Sequence, residues 1–179
     1  MALVLSSSQS SILEPMRKNR FVIQFKSVPG GGDRDKLAFV VKSTNAPTLT
    51  YAAKDYDRIN EKFYTAGKPI WNELTIVFYD FIQGSDSAAS IMDNWARSIY
   101  NPITGQMFFK TQYSTSATLA QLDPAGGVVR TCNYFYIWPQ SIAYGEGLDS
   151  TSDDLCEVTA VFKYDLAVKG TDVDTNPTS

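Results

Sequence analysis

Two alternating runs near the C-terminal end, Arg130 to Ile142 and Leu155 to Leu166, limit what this chain can fold into. In the second, Cys156, Val158, Ala160, Phe162 and Tyr164 share one parity, while Glu157, Thr159 and Lys163 share the other. Side chains alternate across a sheet, so the run predicts a strand with one buried and one hydrophilic face. The two runs flank an acidic, glycine-bearing loop and read as an antiparallel pair. Aromatic residues make up 13% of the 179-residue chain, which favours sheet over helix because rings suit a pleated surface. One domain of mainly β class is expected, a small antiparallel barrel or sandwich with one flanking helix.

The rest of the chain is expected to divide as follows. Residues 1–18 form a flexible Ser-rich arm ending in the basic cluster Arg17, Lys18 and Arg20. Phe21 to Phe25 and Leu37 to Lys42 form a hairpin around Pro29-Gly30-Gly31-Gly32-Asp33. A polar, aromatic-rich segment from Leu49 to Trp71 contains an extended run that ends at Gly67-Lys68-Pro69. Leu74 to Phe81 is a strand with bulky residues on both parities, so both its faces are expected to be covered. Ala88, Ile91, Met92, Trp95 and Ile99 recur at helical spacing, predicting a helix over Ser87 to Tyr100, capped by Asp86 or Ser87 and stopped at Asn101-Pro102. The Ser/Thr-rich residues before Asp123-Pro124-Ala125-Gly126-Gly127 read as a long surface loop, and 170–179 as a frayed tail.

Catalytic and metal chemistry finds little to work with. The chain has no histidine, which removes Ser-His and Cys-His nucleophiles and histidine metal sites together. A carboxylate pair of the glycosidase type is the one enzymatic option left. Glu146, Asp149, Asp153, Asp154 and Glu157 cluster, but the sixth position of a calcium loop starting at Asp149 is Asp154 where glycine is required, so a solvated turn is the better reading. No metal or cofactor is expected. The net charge of −3 argues against gripping nucleic acid through its phosphates. No run is long enough to span a bilayer, and the short neutral start is no secretory signal, so a cytosolic origin is expected. Cys132 and Cys156 fall toward opposite ends of the inferred strand pair and are expected as reduced, packed thiols. Trp95 and Trp138 read as core. A stand-alone carbohydrate-binding sandwich using Tyr134, Tyr136 and Tyr144 is a rival reading.

Taken in order, Lys18-Asn19-Arg20-Phe21, Leu74-Thr75-Ile76-Val77-Phe78, Asp93-Asn94-Trp95, Ile137-Trp138-Pro139 and the stretch Glu157 to Asp165 resemble the tail tube proteins of contractile-tailed bacteriophages, a superfamily shared with type VI secretion tube proteins. The resemblance runs from Arg17 to Lys169; the Ser/Thr-rich stretch from Tyr113 to Gly127 departs from it as longer than the family core requires. It implies a tube domain over 19–169, hexameric rings that stack, and sheets that join into one barrel around a channel for genomic DNA. Glu157, Thr159 and Lys163 would face the lumen, with Arg58, Asn60 and Lys62 as a second candidate row. The segment from Leu49 to Trp71 would reach the adjacent ring through Tyr51, Tyr56, Phe63 and Tyr64. Arg17, Lys18 and Arg20 would touch the neighbouring subunit. Implied partners are further copies of the chain, a tail sheath protein, and baseplate and tail terminator proteins, with no membrane involved. The implied place is the virion tail tube, assembled in the host cytoplasm. A baseplate tube-initiator or junction protein of the same fold is the alternative within the superfamily.

Overall fold

A computed structural model describes residues 15–82, 84–145 and 150–170. In chain order the elements are β1 (Phe21–Phe25), α1 (Arg34–Phe39), β2 (Val41–Thr44), β3 (Leu49–Arg58), β4 (Glu61–Trp71), β5 (Leu74–Tyr79), α2 (Ala88–Ile99), β6 (Tyr100–Asn101), β7 (Gln106–Met107), α3 (Lys110–Tyr113), β8 (Thr115–Leu122), β9 (Val128–Ala143), β10 (Glu157–Lys163) and β11 (Leu166–Lys169). The expected mainly β class with antiparallel pairing is what the chain adopts.

Strand β9 belongs to two sheets. Its first half pairs with β8 and β11, and β8 pairs with β1. Its second half pairs with β10, which pairs with β5, which pairs with β2. Between Tyr134 and Ile137 the inward parity shifts by one residue, because Ala117 faces Tyr134 while Thr115 faces Ile137. Tyr136 absorbs the extra residue with a left-handed φ of 56°, a bulge that bends the strand from one sheet to the other. Inward side chains of both sheets then meet in one core.

The core is knitted by an aromatic triangle. Phe25 of β1 stands edge-on to Trp95 of α2, with centroids 5.4 Å apart, and Phe162 of β10 lies 5.6 Å from each. Trp95 is fully buried, and its indole N–H donates to the Tyr113 carbonyl at 2.8 Å, so α2 is fixed by burial and by one directed bond. The predicted stripe holds for Ala88, Ile91, Met92 and Trp95, which are buried, while Ile99 at its end is half-buried; of the two expected caps it is the Ser87 hydroxyl that accepts from Ser90 N at 3.2 Å.

Several expectations fail for identifiable reasons. The first hairpin does not form: β1 pairs with β8 and β2 with β5, and Leu37 is buried on α1 instead of lying in a strand. Asp33 follows three glycines and accepts from Asp35 N and Lys36 N at 3.0 and 3.3 Å, so the residue taken for a turn is a helix cap. The Ser/Thr-rich stretch is not a surface loop but β8, a central strand whose Thr115, Ala117 and Leu119 point inward. Small inward side chains suit it because the large rings of the core come from its neighbours. Helices α1 and α3 join α2, which is therefore not alone. Strand β5 ends at Tyr79 with only Leu74, Ile76 and Phe78 buried, so among the described residues no element covers its second face. The arm up to residue 14, Glu146, Asp149 and the tail from 171 lie outside the described residues.

Candidate functional site

The uncovered face of the second sheet carries the charge. Glu157, Thr159 and Val161 stand opposite Tyr79, Val77 and Thr75 of β5, and Thr159 and Val161 opposite Ala143 and Ser141 of β9. The expected parity of β10 holds: Val158, Ala160 and Phe162 are buried while Glu157, Thr159 and Lys163 are half-buried on the other side. The Lys42 ammonium pairs with the Glu157 carboxylate and sits 5.6 Å from the Tyr79 ring centroid. Lys163 Nζ lies 2.9 Å from Glu73 Oε1. Partly exposed pairs of this kind each contribute no more than about 1 kcal/mol of stability. Their consequence is electrical, since the two cations are matched by two carboxylates. Lys42 and Glu73 were not singled out from the sequence; the strand-like parity of Lys42 was the available signal.

The same sheet runs β9, β10, β5, β2, and among the described residues neither β2 nor the second half of β9 has a further strand beyond it. Edge strands with free N–H and C=O groups are templates for pairing with another chain. In the other sheet the β1 edge is partly covered, because Arg34 of α1 donates from Nη1 to the Lys26 carbonyl at 2.8 Å.

Among the described residues β3 and β4 pair only with each other, and they expose nearly every side chain. The hairpin does not end at Gly67-Lys68-Pro69; it continues to Trp71 through a bulge near Tyr51 and Ala53. Its turn sits at Ile59 and Asn60, which reverses the chain and breaks the parity count. Arg58 therefore shares a face with Glu61, Tyr56 and Phe63, whereas Lys62 lies on the opposite face with Asp57, Asp55 and Tyr64. Arg58, Asn60 and Lys62 do not form one row. Lys62 Nζ is instead 3.6 Å from Asp55 and 3.9 Å from Asp57. The Tyr56 and Phe63 rings stack at 5.6 Å, and Tyr51 and Tyr64 are exposed. A two-stranded ribbon is marginal in water by itself, and this one carries exposed rings on both faces.

Arg17 and Lys18 are exposed and Arg20 half-buried just ahead of β1, where the Arg20 carbonyl accepts from Leu122 N at 3.0 Å. Burial pushes the Cys132 thiol above its usual pKa, in keeping with a packed cysteine, but Cys156 is exposed at the sheet's end and corrects that half of the expectation. Tyr134 is fully buried at the sheet crossing, so Tyr134, Tyr136 and Tyr144 do not form the aromatic platform that a carbohydrate module needs. Trp138 is half-buried against Tyr113, with centroids 5.8 Å apart. Among the described residues no group of carboxylates and cysteines has metal-binding geometry.

No protein-family model matches the sequence, and no curated protein matches it significantly. The fold, however, is close to several solved structures. A chain of the sheath–tube complex of the PVC extracellular contractile injection system in its extended state superposes with a TM-score of 0.67 at 19% identity, covering 93% of this chain and 99% of that one. A chain from the anti-feeding prophage cap, described as the tube-terminating cap, gives 0.70 at 17% identity, over 96% and 100%. The SPP1 tail tube gives 0.50 at 11% identity, over 90% and 82%. The mainly antiparallel fold described above, with its principal helix α2, is thus the fold this chain shares with those chains of two contractile injection systems and a phage tail tube.

Proposed function

We propose that this chain is the tube subunit of a contractile tail, its copies joining head to tail into hexameric rings that stack into a hollow tube. One observation carries this reading: among the described residues the four-stranded sheet has two open edges and an uncovered hydrophilic face. Successive strands β9, β10, β5 and β2 are antiparallel, and their number is even. When β2 of one copy meets β9 of the next, the alternation therefore continues across the seam without a parallel step. A head-to-tail contact of this sort closes when its rotation allows, and closure removes every edge. With six copies the barrel has about 24 strands, and at about 4.8 Å between strands its backbone is roughly 37 Å across before tilt widens it.

The face carrying Glu157, Thr159 and Lys163 then lines the bore. Its matched charges keep the wall wettable without holding a polyanion, because each phosphate neutralised by a cation adds an attraction that must be broken during passage. Genomic DNA sliding through during ejection is the cargo this wall suits. The β3–β4 hairpin, with Tyr51, Tyr56, Phe63 and Tyr64, reaches the adjacent ring, and Arg58, Asn60 and Lys62 travel with it to the inter-ring contact. Arg17, Lys18 and Arg20 lie where a neighbouring subunit meets β1. The remaining partners are sheath, baseplate and terminator proteins, the place is the tail tube of the virion, assembled in the host cytoplasm, and the role is structural, not enzymatic.

The likeness to a tube-terminating cap favours a second reading, a protein of the same fold that closes one end. Negative-stain imaging of the concentrated full chain, together with its copy number in particles, tests both. Stacked hollow filaments and high copy number support the tube subunit; single rings at one copy set per particle support the terminator. A chain that sediments as a monomer at every concentration contradicts both.

A further inference from the structure

We infer that each ring seam is locked by an aromatic knob of one copy seated in a groove of the next, an inference that rests on the edge-to-edge reading above. The groove, of about 390 Å³, runs between α2 and the open edge of β9 and is lined by Ile99, Tyr100, Trp138, Pro139, Ile142 and Tyr144. Arg97 and Asp93, which also line it, neutralise each other at 2.7 Å, so the groove presents apolar walls with little net charge. The knob is Phe39, at the end of α1, with Phe81 and Ile82 following β5. Phe39 is 87% exposed and lines one surface hollow with Phe81, itself exposed and followed by the exposed Ile82, so bare apolar surface gathers here of the kind that marks a contact site.

Three positions make the two features complementary. Phe39 is separated from β2 by Val40 alone; Val41 of β2 pairs with Phe78 near the end of β5, and Tyr79 N donates to the Val40 carbonyl at 2.9 Å. The groove's Tyr144 follows Ala143, which pairs with Thr159 two residues from the start of β10; Glu157 at that start pairs with Tyr79. Knob and groove mouth therefore sit at the same end of the sheet. They also sit on the same side of it: α1 and α2 touch through the loop between β1 and α1, where Gly30 abuts the Asn94 backbone, and Lys36 of α1 reaches Asp86 just ahead of α2 at 2.6 Å. Rotation about a ring axis carries the β2 edge to the neighbour's β9 edge without inverting it, so the Phe39 ring arrives on the helix side at the Ile142–Tyr144 end of the groove. The occupant is thus a second copy of this chain. The exposed aromatic is an interface anchor of the sort that dominates binding energy when desolvated in a pocket.

The test uses assembled full-length protein carrying Cys156→Ser, since the native thiol is exposed. p-Benzoylphenylalanine in place of Phe39 is photolysed and the adducts are mapped, while a Ser43→Cys, Ser141→Cys pair is bridged by a short bismaleimide across the proposed strand seam. Intercopy adducts on residues 93–102 or 138–144 together with seam bridging support the knob. Phe39→Ser should then raise the concentration needed for assembly by about tenfold or more while leaving the monomer folded. Seam bridging with adducts elsewhere, or with no intercopy adduct, overturns the knob and leaves the tube reading standing. Absence of seam bridging overturns the tube reading itself and this inference with it.

Discussion

Replacing Gly30 and Gly31 by alanine, one at a time, tests whether the turn after β1 is a free loop tip or a wedge that positions α2. Both glycines have left-handed φ, +85° and +89°, so both substitutions incur the same backbone cost of about 1–2 kcal/mol, partly offset by about 0.4–1 kcal/mol from a less flexible unfolded chain. They differ in what a methyl group would meet. At Gly31 there is nothing within 4 Å, whereas at Gly30 the new carbon would lie 2.2 Å from the Asn94 carbonyl oxygen and 2.6 Å from its carbon. Those are backbone atoms in mid-helix and cannot swing aside. Overpacking of this kind costs about 1–3 kcal/mol beyond the shared terms. Gly31→Ala is therefore expected to destabilise by no more than about 1.5 kcal/mol and Gly30→Ala by about 2–4 kcal/mol. For a chain this long the difference corresponds to a melting point lower by roughly 2–12 °C. Urea and thermal unfolding of the monomer, followed by circular dichroism below the concentration of assembly, measure both. Equal losses from the two variants would refute the close approach of turn and helix and, with it, the placement of α2 over the β9 edge.

Three further outcomes follow from the same geometry. Trp95→Ala, which empties the centre of the aromatic triangle and strands the Tyr113 carbonyl, should cost about 3–5 kcal/mol by the same unfolding assay. Burial raises the Tyr164 hydroxyl to about 12, so the unfolded chain loses that proton first; stability should be intact below pH 10 and fall as pH rises from 10 towards 12, less steeply in Tyr164→Phe. Thr159→Cys, in a Cys156→Ser background, should react with a bulky polyethylene-glycol maleimide in the monomer and be protected in assembled tubes; equal labelling in both states would remove Thr159 from the bore.

How much of this was legible in the sequence depended on whether the deciding interaction was local. The two-faced character of β10 was plain because Val158, Ala160 and Phe162 alternate strictly with Glu157, Thr159 and Lys163. The stripe of α2 was equally plain, at helical period with Ser87 as its cap. Strand β8 was hidden because Thr115, Ala117 and Leu119 are small or moderate in size, and what makes them core is their position between β1 and β9, which are distant in sequence. Helix α1 was masked by a glycine-rich approach whose only helical sign was Asp33. The row Arg58, Asn60 and Lys62 failed because a two-residue turn cannot be seen in a parity count, and Arg58 and Lys62 diverge on either side of it. Lys42 and Glu73 became visible as charge partners only once β2 and the start of β5 were set beside β10. The exposed rings of Tyr56 and Phe63 were noted in sequence, but that they stack on one face of a projecting ribbon needed the register.

Electron cryo-microscopy of the assembled chain, at a resolution that separates strands, tests the central claim most directly. The account predicts one closed antiparallel barrel in which β2 of each copy is hydrogen-bonded to the second half of β9 of the next, with Glu157, Thr159 and Lys163 projecting into the bore. Separate sandwiches whose β2 and β9 edges remain open, or a bore lined by the sheet of β1, β8 and β11, would contradict it.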